Sequence, residues 1–301
     1  MKVSFGTVNG DQWEEYCQKV FRLRYRAEDY QEVPAKYGGD LGIEGFTKTG
    51  IVFQCYCPDD EPTSKELYVN QRKKITTDIK KFIDNEKELK TLLGVTKVRR
   101  WFLVTPSYDD KDLIAHCQKK TQEVKAKKCS HVADDFEVLL CTEKDFIVEN
   151  GILVSAGAQQ IAIDPPEITP TEILDWSTAE NDHYDNIRSK ILKIPNVLNV
   201  DRYVTLNIKN FLAGQNVLTH LHKEYPGLYE KLLSVKNAQE RKVEGFSMMP
   251  SGAPGEFLKE CFEEYVSLIR EELGKSLSVS LTSDLAGEAI ADWLIRCPLD
   301  F

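Results

Sequence analysis

Nowhere in the 301 residues is there an apolar run near the roughly 20 residues that a bilayer-spanning helix needs. The N-terminus, MKVSFGTVNGDQWEEY, lacks the apolar core of a secretory signal. Both absences lead us to expect a cytoplasmic protein with no membrane partner. Cys-x-x-Cys is also absent. Of eight cysteines only Cys55 and Cys57 lie close together, which speaks against a zinc cluster and for reduced, partly buried thiols. The P-loop, Gly-x-Ser-x-Gly and dinucleotide fingerprints are missing, and with them the enzyme classes they mark. Excess positive charge is missing too: Lys and Arg number 39, Asp and Glu 48, and the net charge is −9. A nucleic acid would have to meet a local basic patch rather than the whole surface. His220 and His222, two apart on a helix, diverge and are not read as metal ligands. No internal repeat or low-complexity tract stands out.

What is present suits a two-domain chain with a sizeable core, 42% hydrophobic and 29% charged. Its organising stretch is Lys36–Pro58, KYGGDLGIEGFTKTGIVFQCYCP. A glycine-rich turn carries Asp40 and Glu44, a Lys48-Thr49-Gly50 turn follows, and an apolar strand runs from Ile51 to Cys57. Strand alternation puts Gln54 and Tyr56 on one face and Phe53 and Cys55 on the other. Acids beside a Gln-x-polar pair suit a hard divalent metal held next to a phosphate, because such metals take oxygen ligands. For Asp40 alone, a turn-stabilising role is the simpler reading.

The motif resembles the PD-(D/E)XK nuclease superfamily, above all its Mrr-like restriction branch. The matching parts are Gly39-Asp40-Leu41-Gly42-Ile43-Glu44-Gly45 and Gln54-Cys55-Tyr56. The resemblance covers about the first half of the chain. It implies that Glu44 is the principal metal-binding acid, that Asp40 is the earlier acid of the turn, and that Glu14, in the Trp13-Glu14 pair, can join from the first helix. Tyr56 stands where the family has its catalytic lysine. Some relatives supply that lysine from the helix after the hairpin, and here Lys74, on the flank of the apolar stripe, is better placed than Lys73. The Gln-Cys-Tyr-Cys-Pro-Asp wording is also similar to nuclease-like subunits of bacterial anti-phage systems, including ABC-three-component systems coupled to SMC-like ATPases.

Periodicity predicts helices over 11–27, 64–93 and 109–128, and strands over 30–35, 98–105 and 136–141. That order fits an α/β restriction-endonuclease-like core with a mixed sheet. The densest positive stretch is Lys119, Lys120, Lys125, Lys127 and Lys128, either a solvated helix end or a nucleic-acid-binding patch. Arg22, Arg24 and Arg26 pose the same choice. Residues 1–150 are read as the nuclease-like domain, 151–170 as a linker bearing Pro165-Pro166 and Pro170, and 171–301 as a mostly helical partner or regulatory domain. Its expected helices include 205–212, 216–225 and 226–235, with 245–255 as a loop. The apolar tail Trp293–Phe301 either folds into the core or docks on a partner.

The resulting expectation is a DNA endonuclease using Mg²⁺ or Mn²⁺ in antiviral defence. Asp40, Glu44, Gln54 and Lys74 are its catalytic residues; Glu14, Asp40 and Glu44 are its metal ligands; Tyr56 lines the site. DNA and either an SMC-like ATPase or a second copy are the expected partners. Two alternatives stand beside it: a catalytically inactive nuclease-fold scaffold or nucleic-acid-sensing subunit, favoured by Tyr56, and an unrelated small α/β enzyme.

Overall fold

Asn9 caps the first helix. Its side chain accepts from Gln12 N–H at 2.9 Å while Gln12 Oε1 accepts from Asn9 N–H at 3.0 Å, a reciprocal cap that answers two orphan donors. The computed structural model describes residues 1–34, 41–249, 252–296 and 299. Helix α1 runs Gly10–Arg24 and buries Trp13, Tyr16, Cys17, Val20 and Phe21 along one stripe.

Five strands follow: β1 Gln31–Glu32, β2 Gly45–Phe46, β3 Ile51–Cys55, β4 Val98–Thr105 and β5 Val132–Thr142. They form one sheet in chain order. The β1–β2 and β2–β3 pairs are antiparallel, and β3–β4 and β4–β5 are parallel. The parallel steps are crossed by helices α2 (Ser64–Asp84), α3 (Glu86–Leu93) and α4 (Asp112–Lys127). Val52 joins a core with Ile75, Ile79 and Phe82 of α2 and Leu113, Cys117 and Val124 of α4. Phe53, on the opposite face, stacks on Phe21 of α1 at 4.2 Å between ring centroids.

The single helix expected over 64–93 is broken at Asn85, whose side chain donates to the Lys81 carbonyl at 2.8 Å. Phe82 and Leu89 are both buried, so the apolar stripe runs across the break and conceals it from periodicity.

Gly42 is where the turn before β2 touches α2. Its φ is +79°, and a Cβ there would lie 2.3 Å from the Asp78 carbonyl oxygen and 2.9 Å from Phe82 N. The Trp101 indole N–H donates to the Gly42 carbonyl at 3.0 Å. Gly42→Ala should therefore lower the unfolding free energy by about 2–4 kcal/mol, the sum of left-handed backbone strain and a clash with helix backbone. Urea titration of the two proteins checks this.

The chain divides into two compact units, one of Met1–Val3 with Thr7–Leu153, the other of Ser4–Gly6 with Val154–Phe301. Helix α5 (Ile147–Ser155) occupies the start of the expected linker. Further along it, Ala162 N–H donates to Phe5 O and Ile161 N–H to Ser276 O, both at 2.8 Å. The second unit is built from α6 (Pro170–Ala179), α7 (Asn181–Leu192), α8 (Val200–Glu224), α9 (Pro226–Ser247), α10 (Pro254–Leu273) and α11 (Val279–Arg296). Helix α8 is continuous where two helices were expected, and α9 continues to Ser247, through the start of the expected loop. Trp293 and Leu299 are both fully buried, so at these positions the tail belongs to the interior. His220 Nε2 is hydrogen-bonded to the Ser4 carbonyl at 2.7 Å, a structural role. Among the described residues no helix is long and apolar enough to cross a membrane.

Candidate functional site

The β2–β3 register pairs Gly45 with Phe53, which sets Glu44 against Gln54. Glu44 is held by its main chain first: its N–H donates to Phe53 O at 2.7 Å, and its carbonyl accepts from Val33 N–H at 2.9 Å. Its carboxylate then continues the ladder beyond the short β2. Oε2 accepts from Cys55 N–H at 2.9 Å, and Oε1 accepts from the Gln54 amide. Glu44 is only 8% exposed and Gln54 is fully buried.

A second layer fixes this pair. Tyr30 donates its hydroxyl to Gln18 Oε1 at 2.6 Å, and Gln18 Nε2 reaches the Glu44 carbonyl at 3.4 Å. Gly45 makes room for Tyr30, since a Cβ on it would fall 2.1 Å from the phenol oxygen. Sequence reasoning passed over Gln18 and Tyr30. The available signal was a glutamine on the apolar stripe of α1, between Cys17 and Phe21.

Burial pushes the Glu44 carboxyl up to about 7. The charge of Glu14 adds to that rise, whereas the Cys55 N–H and the charge of Lys74 oppose it. Glu14, exposed on α1, and Lys74, on α2, thus both act on Glu44 through their charge.

Lys74 is 26% exposed in its side chain and pairs with Asp78 at 2.9 Å; Lys81 pairs with the other Asp78 oxygen at 3.2 Å. Asp78 is itself buried. The expected charge source is therefore engaged by an acid of its own helix. Tyr56 is half-buried against the α2 side of the sheet, and burial raises its phenol further, so it is neutral at pH 7 and supplies no cation. Asp40 lies outside the described residues.

Among the described residues no group of three or more His, Cys, Asp or Glu side chains is placed to hold a metal ion. Mg²⁺ needs less, one or two carboxylates completed by water and substrate phosphate. Glu44 and Glu14 are the two described acids whose charges interact here. The charge of Glu14 opposes the ionisation of buried Glu44, and a nearby cation would favour it.

The five lysines of the expected basic patch do not act as one. Lys120 is buried and pairs with Glu123 at 2.7 Å. Lys119 and Lys125 border a groove of about 700 Å³ between α4 and β5, and Lys127 and Lys128 are exposed at the helix end. Arg22 pairs with Glu32, and Arg24 donates to the Asp145 carbonyl at 2.6 Å, so neither is a free phosphate ligand.

Searches of protein-family models, curated proteins and solved structures found no match to this chain.

Proposed function

We propose that the first unit is a phosphodiester hydrolase, a DNA endonuclease of the PD-(D/E)XK type dependent on Mg²⁺ or Mn²⁺. The observation that carries this reading is the buried Glu44 carboxylate, set against Gln54 by the hairpin register and flanked by the charges of Glu14 and Lys74. The order helix, antiparallel hairpin strands, helix and parallel strand supports it as well. Glu44 and Glu14 would hold the cation, with Asp40 the third acid that the motif implies. The cation, when bound, supplies Lewis-acid stabilisation of charge on the phosphate and acidifies water.

The chain's own groups have separate tasks. Glu44 gives up the proton that its buried carboxyl otherwise retains to about pH 7. Gln54 and the Cys55 N–H fix the direction of that carboxylate. Lys74 offsets negative charge as it builds on the phosphate. In the cell, the setting we infer is a bacterial anti-phage system, with an SMC-like ATPase or a second copy as partner.

The reading is tested on supercoiled plasmid with the full chain. Nicking that requires Mg²⁺ or Mn²⁺ and stops with EDTA supports it; inertness with both metals, with and without the products of neighbouring genes, removes it. Lys74→Ala should slow cleavage by roughly tenfold to a thousandfold, the span for one group acting on developing charge, and Lys73→Ala should have little effect. Single-turnover rates decide this.

A second reading rests on Tyr56 and on the Lys74–Asp78 pair. With the phenol neutral and Lys74 engaged by Asp78, the same fold serves as an inactive scaffold or nucleic-acid-sensing subunit. DNA binding without cleavage under any metal would select it.

A further inference from the structure

On the outer face of the α2–α4 layer, positive charge gathers away from the Glu44 hairpin. Arg72 and Thr76 lie one turn apart on α2, and His116, Lys119 and Lys120 within one turn on α4. The helices are joined there by Thr76 Oγ1 and His116 Nε2, 3.0 Å apart. This bond brings the two sets of cations to one place. His116 is 8% exposed, and after burial itself the charges of Arg72, Lys120 and Lys119 hold its pKa down. Glu123 answers Lys120. Arg72 and Lys119 are exposed and have no ion-pair partner among the described residues.

In a chain of net charge −9, cations collected without counter-charges are spent against one another unless an anion joins them. The donors are a guanidinium fork and an ammonium, which phosphate oxygens accept from, while the Thr76 hydroxyl donates to the Arg72 carbonyl at 2.8 Å. We propose that this ridge, Arg72 and Lys119 carried on the two helices that the Thr76–His116 bond joins, binds the phosphate backbone of nucleic acid. The assignment deepens the hydrolase reading and rests on it for the choice of nucleic acid among polyanions. It also moves the contact surface from the C-terminal end of α4 to the α2–α4 junction.

The test uses the full chain carrying Glu44→Gln, in EDTA, with a fluorescein-labelled DNA duplex followed by anisotropy between about 50 and 200 mM salt. Adding Arg72→Glu and Lys119→Glu should weaken binding more than about tenfold and flatten the log–log salt slope by about 2, one per lost phosphate contact. Lys127→Glu with Lys128→Glu should change affinity less than about twofold. Arg72→Gln with Lys119→Gln repeats the measurement if the charge reversals disturb folding, judged by a circular-dichroism melt. An unchanged slope in the ridge variants, or no binding by the parent at the lowest salt, overturns the proposal. Competition by polyglutamate as strong as by unlabelled duplex assigns the ridge to an acidic protein and overturns it too. Cleavage by the wild-type chain is scored separately. Ridge-dependent binding without cutting keeps the ridge and removes the hydrolase, and cutting indifferent to the ridge variants does the reverse.

Discussion

Glu44→Gln is expected to reduce metal-dependent cleavage at least about a hundredfold with the fold intact, because the amide keeps an acceptor for the Cys55 N–H and a flip of the Gln54 amide answers its new N–H2, leaving the charge as the main loss. The same substitution has a signature that needs no activity. The folded carboxyl holds its proton up to about pH 7, against an ordinary value of 4.5. Between those values the folded state binds more protons than the unfolded state, so stability falls as pH rises through that window and the loss is complete above it. The wild type should lose on the order of 3 kcal/mol relative to Glu44→Gln between pH 4.5 and about 7. Burial depresses His131 and His116, and they act in the opposite sense, costing stability as pH falls. Only the difference between the two proteins isolates Glu44. Mg²⁺ or Mn²⁺ at a hundred times its dissociation constant should return about 2.7 kcal/mol to the wild type at pH 8 and nothing to the variant. A flat difference across the window, or equal metal response, would remove Glu44 from the centre of the site.

Much of this site was legible because strand alternation and hairpin register are local. Gln54 and Glu44 meet through a turn of a few residues, and the apolar stripes of α1, α2 and α4 declare which faces are buried. What was not legible depends on packing between distant segments. Lys74 is the local exception: its partner Asp78 stands four residues on along the same lysine-rich helix. The Tyr30–Gln18 support links a strand-entry loop to a helix, and Gly45 reads as a turn residue until Tyr30 is seen to need its space. The basic stretch of α4 reads as one patch on paper, but helical geometry sends Lys120 inward and Lys127 to the helix end. In the second unit, Gly214 suggests a boundary between two helices. It sits inside one helix because a Cβ there would lie 2.2 Å from the Glu288 Cβ, so α8 and α11 approach through it.

That close approach leads to the largest stability effect we expect. Lys236, buried on α9, places its ammonium 2.8 Å from both oxygens of Glu288 and 2.8 Å from Asp292 Oδ2. Glu288 also accepts from Gln215 at 2.8 Å. Asp292 is gripped by Arg296 at 2.5 and 2.6 Å, and Arg296 reaches Glu240 at 3.0 Å. Glu288, Asp292 and Arg296 recur every fourth residue along α11, so they form one column facing α9. Burial raises the Glu288 carboxyl even with Lys236 beside it, so the lysine is what makes its ionisation tolerable. Lys236→Met leaves two buried carboxylates without their shared cation and should cost about 3–5 kcal/mol near neutral pH, the range for breaking a buried pair from one side. The loss should shrink as pH falls and Glu288 takes up a proton. Pairing Lys236→Met with Glu288→Leu should recover part of the loss, since an apolar pair replaces an ionic one with little net change. Denaturant titrations of the four proteins of this cycle, at neutral and mildly acidic pH, measure the coupling directly. A Lys236→Met cost under about 1 kcal/mol, or one independent of pH, would mean that water already reaches the column and that the helices of the second unit are held by their apolar faces alone.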